Sequence, residues 1–236
     1  MSEVRVVRID RPDKRNAIDS ETAERLLAEF RAFDAADGER VAVLTGDEKA
    51  FCAGADLTSL PKLRPTGPLG PTRLHLSKPV IAAVEGWCVA GGLELALWCD
   101  LRVAGASARF GCLERRFGVP LIDGGTQRLP RIVGVGRALD MILTGREVDA
   151  DEALAFGLVN RVVPDGTALD AAVAMAESIA AFPWMSVVKD RQSVYEGFGQ
   201  SLHDGLALEA RNGEPVVFAE GFAAGVDRFK DRDRPS

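Results

Sequence analysis

Cysteine and histidine are scarce in this chain, and a surplus of positive charge is missing. Cys52, Cys88, Cys99 and Cys112 lie far apart with no C-x-x-C pair, which excludes a disulfide framework and reads as buried, reduced thiols. His75 and His203 have no partner at metal-ligand spacing, so no metal site is expected. No G-x-S-x-G elbow is present, which removes a serine hydrolase of the α/β-hydrolase kind. No Walker A or G-x-G-x-x-G run follows a strand. Lys and Arg total 29 against 35 Asp and Glu, giving a net charge of -6 and a pI near 5.1. That is the wrong sign for a nucleic-acid binder, although it leaves room for a local basic patch facing a phosphorylated ligand. Residues 1–10 lack the basic-then-apolar order of a secretory signal, and a cytoplasmic location is the expectation. The most apolar stretch, Pro79 to Cys99, carries Glu85 and Glu94. Bare carboxylates are costly in lipid, so it reads as strand, turn and helix in a protein core, with no membrane partner.

What is present is an ordinary globular composition, 47% hydrophobic and 27% charged over 236 residues, enough for one domain with a small appendage at most. Val4 to Ile9 reads as a strand, and Asp19 or Ser20 as the cap of a helix with Leu26, Leu27, Phe30 and Phe33 on one face. Val41 to Leu44 and Val80 to Val84 are continuous apolar runs, the pattern of strands covered on both sides. Residues 46–56 read as a loop, 57–77 as a Pro- and Gly-broken connector, and 86–92 as a turn into a helix over Leu93 to Trp98. Short strands follow at Leu101 to Ala104 and Ala108 to Phe110, and helices dominate from Gly125 onward. Strands alternating with helices, then helices alone, describe an α/β core with a helical C-terminal part. The division falls at 1–182 and 183–236, near Pro183.

Three segments carry candidate chemistry. In Ala90-Gly91-Gly92-Leu93-Glu94 a glycine turn opens a helix at once. Glycines allow close backbone approach, and the first N–H groups of a helix lack intrahelical partners at its positive end. Such a turn suits negative charge developing on a carbonyl oxygen; it is equally the form of a tight strand-to-helix connection whose glutamate complements the dipole. Phe51-Cys52-Ala53-Gly54-Ala55-Asp56-Leu57 follows a buried strand in the same manner. Glu114 stands beside Arg115 and Arg116, the arrangement of a surface ion pair. Were Glu94 and Glu114 to share a pocket, repulsion and desolvation would raise a pKa and let the pair move protons to and from carbon.

Together these segments resemble the crotonase family, the enoyl-CoA hydratases and isomerases, over nearly the whole chain. The carriers are Arg11-Pro12 with Arg15-Asn16-Ala17, the Ala50 to Leu57 loop, and Lys78 to Val84 running into Gly91 to Ala96. Gly124 to Pro130, Leu143-Thr144-Gly145 and Ala153 to Val163 complete the order. The resemblance implies a spiral of ββα units and a helical C-terminal region that builds homotrimers, often paired as hexamers. It also implies a lyase or isomerase acting on acyl-CoA thioesters, as in fatty-acid β-oxidation, with no cofactor beyond the substrate's coenzyme A. The N–H groups of Ala55 and Gly91 would form the oxyanion hole. Glu94 and Glu114, twenty residues apart as in the hydratases, would be the catalytic pair. Arg15, Ala53, Asp56, Leu57 and Arg228 fall where the family contacts coenzyme A. Two departures follow. Hydratases of this family carry a water-holding glycine eight residues after the second glutamate, where this chain has Ile122; its branched side chain is expected to narrow the acyl pocket. Asp123 offers a third carboxylate of the kind some family isomerases use. A 2-enoyl-CoA hydratase is the leading reading, with a double-bond isomerase and an inert acyl-CoA binder as alternatives.

Overall fold

The computed structural model describes residues 3–218 and 220–231. Two sheets organise it. The first takes β1 (Val4–Arg8), β2 (Val41–Thr45), β4 (Val80–Val84), β6 (Leu101–Gly105) and β9 (Arg161–Val163), in that order and all parallel. The second takes β3 (Ala50–Cys52), β5 (Trp87–Val89), β7 (Arg109–Gly111) and β8 (Val148–Asp149), parallel except for the last pair. The successive pairs β2–β3, β4–β5 and β6–β7 each give one strand to each sheet, so the chain advances as a spiral. The helix α2 (Gly91–Trp98) joins the second turn of the spiral to the third.

The continuous apolar strands are buried on both faces, as their composition requires. Ala42, Leu44, Ala82 and Val84 face one core with Leu26, Phe30 and Phe33 of α1 (Ser20–Ala35). Val41, Val43, Ile81, Ala83 and Val103 face a second core against α6 (Ala168–Ala180). That helix presents Ala168, Ala172, Ala176 and Ala180, small residues four apart that let it lie close to the sheet. Asp19 caps α1, accepting from Thr22 N at 2.9 Å. Glu85, the carboxylate that argued against a membrane span, accepts from Ala168 N at 2.9 Å and satisfies the start of α6. No single helix among the described residues is long and apolar enough to cross a membrane.

Two sequence expectations fail here. The segment read as a loop over 46–56 contains β3, and the turn over 86–92 contains β5. A three-residue strand is too short to show periodicity, and these exist through their partners: Cys52 pairs with Cys88, and Trp87 with Arg109. The rest of the chain is α3 (Gly125–Val133), α4 (Val135–Thr144), α5 (Ala150–Phe156), α7 (Trp184–Gly197), α8 (Leu202–Val217) and α9 (Glu220–Asp231). Asp100 ties α7 to the core, accepting from Arg191 Nε at 2.8 Å and Tyr195 OH at 2.7 Å. Leu202, Leu206, Val217 and Phe218 remain exposed on the last helices.

Candidate active site

The head of α2 is built on a strained residue. Ala90 adopts φ 52 and ψ -129, a conformation that costs a non-glycine residue about 1–3 kcal/mol. Its neighbours hold it there: Ala90 N donates to Gly111 O at 2.8 Å, and its carbonyl accepts from Glu94 N at 3.2 Å. Gly92 admits no side chain, because a methyl there would overlap the Cys52 carbonyl of β3. Gly54, at φ +96, lies so near that a methyl on it would stand 2.9 Å from Gly91 N. Ile18 N donates to Gly54 O at 2.8 Å, and Asp56 N donates to Ile18 O at 2.9 Å. In that parallel bridge the N–H of Ala55 is turned away from Ile18. A methyl on Gly91 would be 3.6 Å from Ala55 N. The amide groups of Ala55 and Gly91 thus come side by side from two segments, and neither N–H meets a protein acceptor among the described residues.

A buried polar network sets the Ala55 loop. Asn16 is fully buried; its Nδ2 donates to Asp47 Oδ2 at 3.0 Å and Ala50 O at 2.7 Å, and its Oδ1 accepts from Arg11 N at 3.0 Å. Arg11 in turn meets Asp56 Oδ2 at 3.1 Å and Asp19 Oδ2 at 3.0 Å. Asp56 also accepts from Thr58 N at 2.9 Å and Thr58 Oγ1 at 2.6 Å. The Thr58 donors and then Arg11 hold the Asp56 carboxyl down at about 2. These bonds fix the loop that carries Ala55. Arg15, in the left-handed region at φ 50, and Leu57 are exposed; Ala53 is half-buried, its N–H donating to Arg15 O at 3.1 Å. The side chain of Arg228, in α9, lies outside the described residues.

Two buried glutamates lie close enough to feel each other's charge. Glu94, 3% exposed, accepts through Oε1 from Asp123 N at 2.9 Å and Gly125 N at 2.7 Å. Burial raises its pKa to about 7; the Gly125 N–H opposes the rise, and the Asp123 and Glu114 carboxylates add to it. Glu114 lies in the 3-10 turn Leu113–Phe117 after β7, and both its carboxylate oxygens are buried with no partner. Burial raises its pKa as well. The surface ion pair read from its arginine neighbours does not form: Arg115 donates to Ile142 O at 3.1 Å and Arg116 to Gly145 O at 2.9 Å. Burial pushes the Cys52 and Cys112 thiols up to about 12, so neither is a nucleophile at neutral pH.

Ile122 and Asp123 lie next to Glu94 in different environments. The N–H groups directed at Glu94 belong to Asp123 and Gly125, while Ile122 is 39% exposed and its carbonyl accepts from Arg73 at 2.6 Å. Ile122 lines a cavity of about 1000 Å³ together with Leu121, Gly124, Arg73 and Arg128. Asp123 is buried, and its Oδ1 accepts from Leu69 N at 3.1 Å and from the Thr72 hydroxyl. Leu69 and Thr72 were not singled out from sequence; the Pro- and Gly-broken run around them was the only signal. Among the described residues no cluster of three or more His, Cys, Asp or Glu is placed to hold a metal ion.

A two-sheet spiral with one buried glutamate at the head of α2 and a second in the turn after β7 fits the crotonase fold. The chain belongs to the enoyl-CoA hydratase/isomerase family, whose model matches residues 1–236. An enoyl-CoA hydratase structure from Mycobacterium tuberculosis H37Rv superposes with a TM-score of 0.93 at 35% identity, covering 100% of this chain and 95% of that one. The short-chain-enoyl-CoA hydratase of Clostridium acetobutylicum is 38% identical over 217 residues, 88% of this chain and 83% of the relative. The (E)-benzylidenesuccinyl-CoA hydratase of Thauera aromatica is 37% identical over 243 residues, 99% and 94% of the two chains. Two relatives with such different acyl groups stand at nearly equal identity, so overall similarity does not select the acyl group.

Proposed function

We propose that this chain adds water across the 2,3 double bond of an enoyl-CoA thioester. The observation that supports it most is the unequal pair of buried glutamates beside two free amide donors. Ala55 and Gly91 N–H groups bind the thioester oxygen and stabilise the enolate formed when oxygen adds at C3. The two amides on Glu94 Oε1 fix that carboxylate and partly offset the burial that raises its pKa to about 7; once ionised, it takes a proton from the attacking water through Oε2. Glu114, whose oxygens have no donor and whose pKa burial raises, is assigned the delivery of a proton to C2. One water is consumed, its oxygen bonded to C3 and a proton placed at C2. The steps are addition of the water oxygen to C3 and proton transfer to C2, with no net oxidation or reduction, and they call for no cofactor.

Isomerisation without water is the weaker reading, because a third carboxylate is its main support and Asp123 is engaged by Leu69 and Thr72. Arg15, Ala53 and Leu57 border the entrance for coenzyme A, with Arg228 of a neighbouring copy meeting the phosphates. Residues 1–182 form the catalytic core, and the helices beyond 183 build a trimer or a dimer of trimers; the exposed apolar residues of α8 suit such burial. Four unpaired cysteines agree with a cytoplasmic location and a role in fatty-acid breakdown. Hydration of crotonyl-CoA, followed by loss of the conjugated double bond, tests the reading. Glu94→Gln and Glu114→Gln are each expected to lower turnover by about 10²–10⁴. Wild-type turnover no greater than that of the variants would overturn it.

A further inference from the structure

The segment 121–124 is a wall one chain thick. On one side Asp123 N donates to Glu94 Oε1 at 2.9 Å. On the other, Leu121, Ile122 and Gly124, with Arg73 and Arg128, line the cavity of about 1000 Å³. The wall is doubled by the connector before β4, and the two are tied at several points. Asp123 Oδ1 accepts from Leu69 N and the Thr72 hydroxyl. Arg128 donates to Asp123 O at 3.0 Å and Thr72 O at 2.6 Å, and Arg73 donates to Ile122 O at 2.6 Å. Asp123 and Thr72 are 3% and 0% exposed, so water does not compete for these bonds. Held this way, Leu69 reaches the reacting centre: a methyl on Gly91 would be 2.5 Å from Leu69 Cδ1 and 3.6 Å from Ala55 N.

We propose that Asp123 is a specificity-determining latch that pins Leu69 and Thr72 across the acyl end of the site and restricts the substrate to short acyl chains. This rests on the acyl-CoA reading above. The cavity has the volume for a longer tail and the apolar residues Leu121, Ile122 and Ile132 in its lining, and the latched connector runs from Leu69, beside Gly91, to Arg73, which lines it. Asp123 is a positioning residue: its side chain acts through Leu69 and Thr72.

Binding of butyryl-CoA and octanoyl-CoA, measured by calorimetry on wild type, Thr72→Val, Thr72→Ser and Leu69→Ala, tests it without turnover. Each fully buried methylene brings about fourfold in affinity, so four would bring about 200-fold. Wild type and Thr72→Ser, which keeps the hydroxyl, are expected to bind octanoyl-CoA no tighter than butyryl-CoA. Thr72→Val and Leu69→Ala are expected to shift the ratio towards octanoyl-CoA by about tenfold or more. A wild-type preference of about tenfold or more for octanoyl-CoA, or a ratio that fails to move in either variant, would overturn the latch, as would an equal shift in Thr72→Ser. If the ratio moves as expected while crotonyl-CoA is not hydrated, the latch stands and the hydratase reading fails. Absence of binding to both esters overturns both.

Discussion

The head of α2 and the 3-10 turn at Leu113–Phe117 each deliver one glutamate to the pocket, by opposite means. Glu94 is wired: its first-turn position is fixed by the strained Ala90, and its Oε1 takes two amide donors. Glu114 is bare, with both oxygens buried and unpartnered. A buried carboxylate without donors is expensive to ionise, whereas donors make ionisation cheaper. The same side chain therefore sits in two settings: Glu94 is buried and donor-bound with its pKa raised to about 7, and Glu114 is buried without donors with its pKa raised as well. What separates them is the backbone around each, since the residue type is identical.

The comparison breaks most visibly in turnover. The Glu94→Gln, Glu114→Gln double variant is expected to fall about 10³–10⁴ below wild type and little below the worse single variant, because the two act as a unit; steady-state hydration rates check this. Gly54→Ala is expected to cost about 10²–10³ in turnover with both glutamates intact, since its methyl would stand 2.9 Å from Gly91 N. Stability separates the two glutamates more sharply. Glu94→Ala strands the Asp123 and Gly125 amides, at about 1–3 kcal/mol each, and Glu114→Ala strands none. Urea denaturation at pH 7 is expected to show Glu94→Ala as the less stable by about 2–6 kcal/mol.

The pH dependence has a definite sign. The folded pKa of Glu94, about 7, lies above the ordinary value of 4.5, so folding favours the protonated carboxyl. The stability this supplies is complete below about pH 4.5 and is lost as the pH rises through about 7. Thermal melts at pH 5 and pH 8 are expected to converge in Glu94→Gln relative to wild type, by a difference on the order of 1–3 kcal/mol. The smallest effect belongs to Ala90→Gly, which relieves the positive φ and is expected to raise stability by about 0.5–1 kcal/mol.

Much of the site was legible because it lies in contiguous runs. Gly54-Ala55, Gly91 and Glu94 sit where strands end in glycine turns, whereas Glu114 was marked only by the resemblance to the crotonase family, since its neighbours alone suggested a surface ion pair. The two apolar strands β2 and β4 announced a sheet covered on both faces. What sequence did not show depends on contacts between distant segments. β3 and β5 are short strands defined by pairing, and the strain at Ala90 exists only because Gly111 and the start of α2 hold it. Asp56 and Asp123 were recognised as positions, but their partners Arg11, Thr58, Leu69 and Thr72 determine what they do, and those partners lie in connectors without periodicity.

The central claim is that the glutamate pair adds solvent oxygen to carbon, and the most direct measurement is mass spectrometry of crotonyl-CoA turned over in ¹⁸O-labelled water. A 3-hydroxybutyryl-CoA product carrying one heavy oxygen, lost in Glu94→Gln and Glu114→Gln, is the expected result. Ester recovered unchanged, or an isomerised ester without label, would contradict it.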